Sequence, residues 1–190
     1  MKPNRVTSKN DLRARFRSRG SLSLEDAQRG AASEAICRTI QQTREWTEAR
    51  LVCAFIPMKS EPDIRPLWSR NSNAPAFCFP RSHGGTIELI HVDDLELLAH
   101  ADWRLAAPEF EKCPRADFSS VDLILVPGLA FTVDGHRLGR GAGFYDRLLE
   151  RCTSRQHTLG VCFHHRLLPE LPTEAHDQRV ERVITELSDV

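Results

Sequence analysis

Residues 137–146 read Arg137-Leu138-Gly139-Arg140-Gly141-Ala142-Gly143-Phe144-Tyr145-Asp146, and they follow the apolar run Val121–Val126. Closely spaced glycines let backbone N–H groups approach an anion, and a helix starting after them adds partial positive charge. Arg137 and Arg140 add two permanent cations whose planar forks match phosphate oxygens. Asp146 then stands just inside the helix. A carboxylate beside bound phosphate is unfavourable unless a cation lies between them, and Mg²⁺ is the natural one. The bland alternative is a glycine-rich turn with Asp146 as an early-turn helix carboxylate. The segment is not a Walker A loop, because no Gly-Lys-Ser/Thr follows. It is not a dinucleotide fingerprint either, because Asp146 occupies the place of the third glycine.

Other reactive residue types carry less. The six cysteines (37, 53, 78, 113, 152 and 162) include no Cys-x-x-Cys pair, so zinc and thioredoxin-type chemistry are not indicated. Cys53, Cys78 and Cys162 lie in apolar runs and read as reduced, small hydrophobes, which points to the cytosol. His164-His165 lacks a carboxylate or thiol at ligand spacing and reads as a loop. Cys152 has no histidine nearby to activate it. Trp46, Trp68 and Trp103 read as packing residues.

The elements that must position the glycine-rich loop follow from periodicity. Residues 9–18 predict a helix capped by Ser8, with Leu12 and Phe16 on its buried side and Lys9, Arg13 and Arg17 in a stripe along the edge. A second helix follows Ser23, with Leu24, Ala27, Ala31, Ala35, Ile36 and Ile40 as its buried stripe. Strands are expected at 51–56, at 76–79 stopped by Pro80, at 87–92 after the Gly84-Gly85 turn, at 121–126, at 159–163 and at 182–185. Residues 61–71 predict a helix with Pro62 in its first turn, 93–120 are mostly irregular, Asp134-Gly135 marks a turn, and 144–151 predict a helix. Strands alternating with helices imply an α/β fold: one layered domain over 1–190, with a mixed or mainly parallel sheet flanked by helices.

Composition agrees with this reading. Hydrophobic residues make up 41% of the 190 and charged residues 27%, with 26 basic and 26 acidic side chains. That balance gives no bulk attraction to nucleic acid or a membrane surface. No run of about 18 apolar residues exists to span a bilayer. Residues 1–20 are locally basic (Lys2, Arg5, Lys9, Arg13, Arg15, Arg17 and Arg19 against Asp11), a stripe that could meet phosphate or simply face solvent.

Leu125-Val126-Pro127-Gly128-Leu129-Ala130-Phe131, followed by Asp134-Gly135-His136 and the loop through Asp146-Arg147, resembles the signature of the 5-formyltetrahydrofolate cyclo-ligase family, also called methenyltetrahydrofolate synthetases. The resemblance spans nearly the whole chain. It takes in Lys9-Asn10-Asp11-Leu12-Arg13, Phe55-Ile56-Pro57-Met58-Lys59-Ser60-Glu61, Phe79-Pro80-Arg81, Pro108-Glu109, Glu174-Ala175-His176-Asp177 and Val183-Ile184-Thr185-Glu186. Ala142 departs from the Lys or Gly common there, which removes one cationic contact to nucleotide. Phe144 replaces a commoner Tyr, Pro62 an apolar residue and Glu181 an Asp.

The resemblance implies a monomeric enzyme that uses ATP and Mg²⁺ to cyclise 5-formyltetrahydrofolate to 5,10-methenyltetrahydrofolate. It implies that Lys9, Arg13 and the loop residues Arg137, Leu138, Gly139, Arg140, Gly141, Ala142, Gly143, Phe144 and Tyr145 bind ATP, with Lys9 and Arg140 catalytic. Ile56, Glu61, Arg140 and Phe144 would bind the folate, and Asp146 and Asp177 the metal. Two other readings remain at this stage: a folate-, nucleotide- or RNA-binding relative without turnover, and a sugar-phosphate isomerase-like protein, which would use a similar anion loop but no ATP. Magnesium-dependent ATP consumption separates them.

Overall fold

The computed structural model describes residues 8–18, 26–68, 74–92, 94, 97–98, 102, 105 and 108–189. The expectations for Lys2 and Arg5, for Arg19, for the Ser23 cap with Leu24, and for Trp103 lie outside the described residues.

Among the described residues there are four α-helices: α1 (Lys9–Ser18), α2 (Asp26–Gln42), α3 (Arg44–Thr47) and α4 (Phe144–Leu149). The strands are β1 (Leu51–Cys53), β2 (Ala76–His83), β3 (Thr86–His91), β4 (Arg115–Ala116), β5 (Leu123–Pro127), β6 (Ala130–Thr132), β7 (Arg137–Leu138), β8 (His157–Val161), β9 (Leu167–Leu168) and β10 (Arg182–Ile184). Seven form one sheet in the order β10-β8-β5-β1-β2-β3-β4. It is parallel from β10 to β2 and antiparallel at β3 and β4. The α/β architecture is thus a mostly parallel sheet flanked by helices.

Side-chain alternation along the strands assigns the two faces. Val52, Leu123 and Leu125 face a core shared with Ile36 and Ile40 of α2 and Trp46 of α3. Leu51, Cys53, Ile124 and Val126 face a second core with Leu148 and Leu149 of α4. Both faces are covered, so the central strands are apolar throughout. The chain leaves β1 for β2 on one side and returns to β5 on the other. The crevice beyond the carboxyl ends of β1 and β5 is therefore the topological switch point where ligands bind in such sheets.

A second sheet, β7-β6-β9, stands apart from the first and was not expected from periodicity. Its strands are two or three residues long, too short for alternation to register. Leu12 and Phe16 of α1 pack on it with Leu129, Ala130 and Leu138. The Arg166 guanidinium lies 4.6 Å from the Phe16 ring centroid, which further fixes α1. Ser8 caps α1, its Oγ accepting from the Asp11 N–H at 3.2 Å.

Several expectations need correction. The buried stripe of α2 keeps Ile36 and Ile40, but Ala27 and Ala31 are exposed, while Ala32, Ser33, Cys37 and Thr39 are buried. Alanine does little to choose a face. The small polar residues face inward because they find partners: Ser33 Oγ accepts from the Asp63 N–H at 3.0 Å, and the Cys37 thiol donates to the Asp63 carbonyl at 3.5 Å. Within 61–71 the described residues hold only a single 3₁₀ turn, Arg65–Trp68. Pro62 and Pro66 remove the donors that a longer helix needs.

Pro80 does not stop β2, which continues to His83. The His91 N–H donates toward β4, to Pro114. By alternation Pro80, opposite Leu89, has its nitrogen turned to the side where β1 has already ended, so no ladder bond is lost. The strand expected at 159–163 runs instead from His157 to Val161, where its pairing with β5 begins and ends.

Gly135 closes the turn between β6 and β7 at φ +86°, and a Cβ there would sit 2.1 Å from the Val180 carbonyl oxygen. The Val180 N–H donates back to the Gly135 carbonyl at 3.0 Å. Gly135→Ala is therefore expected to cost about 3 kcal/mol or more, from left-handed strain plus a backbone clash. The measurement is the urea midpoint at unchanged m. A midpoint equal to wild type would contradict this backbone packing.

Candidate active site

A cavity of about 410 Å³ opens at the switch point. Its floor is apolar: Phe55 and Ile56 follow β1, Phe79 and Pro80 lie on β2, and Leu105, Met58 and Phe144 close the sides. One rim is the glycine-rich loop from Gly139 to Gly143, and the other comes from α1 and residues 174–177. Every residue expected at a site lines this cavity except Leu138. Leu138 is fully buried against α1, so its side chain serves packing and not the cavity wall.

The loop takes its path from its glycines. Gly141 has φ +103°, and Gly143 sits at the helix N-cap with φ +62° and no side-chain cap. Those backbone angles turn the chain sharply between β7 and α4, and few side chains adopt them. Arg13 braces the loop, its Nε donating to the Gly139 carbonyl at 3.1 Å and its Nη1 to Asn10 Oδ1 at 3.0 Å. Helix α1 and the loop, distant in sequence, are thus tied to each other.

The charged groups are paired across the cavity. Lys9, on the buried side of α1, donates to both oxygens of Asp177 at 2.7 and 2.6 Å and lies 3.4 Å from Glu174. Burial pushes the Asp177 carboxyl up, but the Lys9 ammonium and the Glu174–Asp177 turn outweigh it and hold it below the usual carboxylate range. Arg137, on β7, donates from Nη2 to Asp146 Oδ1 at 2.8 Å, with its side chain only 4% exposed. Its guanidinium carbon is 5.6 Å from the Tyr145 ring centroid, and its Nε is buried without a partner among the described residues.

Arg140 reaches the far wall. It donates to Ser60 Oγ at 3.0 Å and to Glu61 Oε1 at 3.1 Å. Glu61 is buried, and its other oxygen accepts from the Met58 N–H at 2.9 Å. Carboxylate oxygens have further lone pairs, so Glu61 can still accept from a ligand. The Phe144 and Tyr145 rings meet edge to face at 5.3 Å. Burial, then the neighbouring Cys53 and Glu61, pushes the Tyr145 hydroxyl well up from its ordinary value, so it stays protonated.

Sequence reasoning missed Met58 and Leu105 as cavity residues and Ser60 as a partner of Arg140. Ser60 and Met58 flank Glu61 in a loop already singled out. Leu105 stands in an irregular stretch and carries no pattern.

Among the described residues, no three His, Cys, Asp or Glu side chains converge as a metal cage. Asp146 and Asp177 nevertheless present carboxylates to one cavity beside phosphate-type cations. That donor set suits Mg²⁺ shared with phosphate oxygens, since this ion usually takes one or two carboxylates plus substrate oxygens. The His164-His165 pair is turned elsewhere: the His164 N–H donates to Glu186 at 2.7 Å, and His165 stacks on Phe163. All six cysteines are free, and burial pushes the Cys37 and Cys162 thiols to about 12. No helix among the described residues is long and apolar enough to cross a membrane.

Comparison with known proteins gives one answer. Residues 5–186 match the 5-formyltetrahydrofolate cyclo-ligase family. The chain is 28% identical to the 5-formyltetrahydrofolate cyclo-ligase of Mus musculus, over 95% of this chain and 94% of that one. It is 33% identical to the enzyme of that name from Mycolicibacterium smegmatis, over 72% and 73%. Its fold superimposes on the NMR structure of Aquifex aeolicus 5,10-methenyltetrahydrofolate synthetase with a TM-score of 0.77 at 29% identity, covering 95% and 90% of the two chains. A synthetase structure from Mycoplasma pneumoniae, at 18% identity, shares the fold with a TM-score of 0.70 over 94% and 98%.

Proposed function

The chain belongs to the 5-formyltetrahydrofolate cyclo-ligase family, and from that premise we propose that it is an ATP-dependent ligase that converts 5-formyltetrahydrofolate to 5,10-methenyltetrahydrofolate with release of ADP and phosphate. Residues 1–190 act as one cyclo-ligase domain and as a monomer. The free cysteines support a reducing compartment such as the cytosol. The observation that carries the reading is one cavity in which phosphate-type cations, two carboxylates and an apolar floor face one another.

The formyl group on N5 is amide-like and a poor electrophile. Transfer of the ATP γ-phosphoryl group to its oxygen creates a leaving group. N10 then attacks the same carbon, phosphate departs, and N10 loses its proton. Both steps depend on positioning and on neutralising charge. Lys9, Arg13 and Arg137 would hold the triphosphate against the loop backbone from Gly139 to Gly143. Arg140 would bridge the transferred phosphoryl group and the folate, since it already spans from the loop to Glu61. Ile56 and Phe144 would hold the flat pterin, with Glu61 accepting its N–H groups. Asp146 and Asp177 would hold Mg²⁺, which supplies neutralising charge for the phosphoryl oxygens.

The test is to mix the purified protein with 5-formyltetrahydrofolate, ATP and Mg²⁺ and follow the ultraviolet absorbance of the methenyl product. Product that depends on both ATP and Mg²⁺ is expected. Folate or nucleotide binding without product would favour a non-catalytic relative.

Glu61 touches both halves of this site, so Glu61→Gln is expected to raise the folate KM by about tenfold and also to lower kcat. Loss of its charge weakens acceptance from the pterin and frees Arg140 from its bridge. Steady-state kinetics at saturating ATP measures both effects. A change in folate KM with kcat untouched would show that the Arg140 contact is idle.

A further inference from the structure

Each carboxylate expected to hold the metal already carries a cation from its own wall. Asp146 is bound by Arg137 at 2.8 Å, and Asp177 by Lys9 at 2.6 and 2.7 Å. Both cations are buried, with side chains 4% and 9% exposed. Neither can be moved off its carboxylate into open water without leaving the cavity wall. A bare divalent cation arriving at these carboxylates would strand two buried cations beside it. A bare triphosphate arriving at Lys9 and Arg137 would meet two unscreened carboxylates. Either event alone leaves uncompensated buried charge, which is costly. Only their joint arrival gives every charge a counter-charge.

We propose that Arg137 and Lys9 are place-holders for the divalent cation, so that the cavity rejects Mg²⁺ until a nucleotide triphosphate draws both side chains onto its phosphates. This rests on reading the cavity as the site of ATP and Mg²⁺. It assigns the two cations a second role beyond phosphate contact. They keep the metal ligands occupied in the free protein, and the exchange couples metal binding to nucleotide binding.

The proposal makes an unusual demand: removing a positive side chain should create a metal site in the free protein. The probe is Mn²⁺, followed by electron paramagnetic resonance with no nucleotide or folate present, in wild type, Arg137→Met and Lys9→Met. Wild type is expected to show no saturable binding over the concentrations at which Arg137→Met takes up one ion. The gain in affinity should be about tenfold or more, the scale on which an adjacent cation biases a carboxylate against a competing positive charge. Adding Asp146→Asn to Arg137→Met should abolish the gain.

Arg137→Met leaves Asp146 without its partner and could fold poorly. Mn²⁺ should then raise its melting temperature and leave that of wild type unchanged. Lys9→Met provides the same test at Asp177. Mn²⁺ binding to wild type as tight as to Arg137→Met, or no gain in either variant, overturns the proposal. Tight Mn²⁺ binding by a wild-type protein that makes methenyl product would sink this inference and leave the function intact. Failure to make product would sink the function instead.

Discussion

Asp146→Asn is expected to lower kcat/KM for ATP by about 100-fold or more, because it removes half of the carboxylate charge available to a cation that neutralises the phosphoryl oxygens. The fold should survive with a modest loss. The asparagine Oδ1 can still accept from Arg137 Nη2, which now donates to Asp146 at 2.8 Å. What is lost is the charge compensation of a buried guanidinium, and the melting temperature should fall by several degrees. The double variant Asp146→Asn/Arg137→Met removes both buried charges. It should regain stability, since an apolar pair often replaces a buried ion pair without cost. It should not regain turnover. Wild-type kinetics and an unchanged Mg²⁺ dependence in Asp146→Asn would remove this residue from the metal site.

Arg140→Ala should show a comparable loss with a different signature. Arg140 projects from between two glycines to Ser60 and Glu61 on the opposite wall, and its side chain is 36% exposed. As a partly solvent-screened ion pair with buried Glu61 it would contribute on the order of 1 kcal/mol to folding. As a preorganised donor at the transferring phosphoryl group it would contribute about 2–4 kcal/mol, or roughly 30- to 1000-fold in kcat/KM. Arg140→Lys keeps the charge but loses the planar fork that reaches two acceptors at once, so its activity should fall between wild type and Arg140→Ala. Arg140→Ala should lose only modest stability, because buried Glu61 loses one partner while its second oxygen remains bound to the Met58 N–H. Unchanged kinetics in Arg140→Ala would detach this loop from phosphoryl transfer.

What could be read from the sequence divides along physical lines. The central strands, expected at 51–56 and 121–126 and found at Leu51–Cys53 and Leu123–Pro127, were legible because both faces are buried, giving continuous apolar runs with breakers after them. The turn from Gly139 to Gly143 into a helix was legible because closely spaced glycines precede a helical run. The second sheet was not, since strands of two or three residues show no period. Pro80 misled for a related reason. Proline removes one donor on one side of a strand, and only the pairing pattern shows whether that side needed it. The α2 stripe slipped by one position because Ser33 and Cys37 are held inside by hydrogen bonds to distant Asp63, which no local pattern records. That these residues would line one cavity was legible for the site, and their pairings were not. Nothing local says that Lys9 lies on Asp177 or Arg140 on Glu61.

The Lys9–Asp177 contact joins residues 168 positions apart. Closing a loop of that length costs chain entropy that its own contacts return only once both ends are docked. Helix α1 shares no strand pairing with the large sheet and rests on a small satellite cluster with Leu129, Ala130 and Leu138. It is therefore expected to open as a separate cooperative unit, with the contact that completes one wall of the cavity forming late in folding. Under rising denaturant this wall should detach while the seven-stranded sheet is still intact. The chain would then pass through a state that is native by its sheet content and already without an active site.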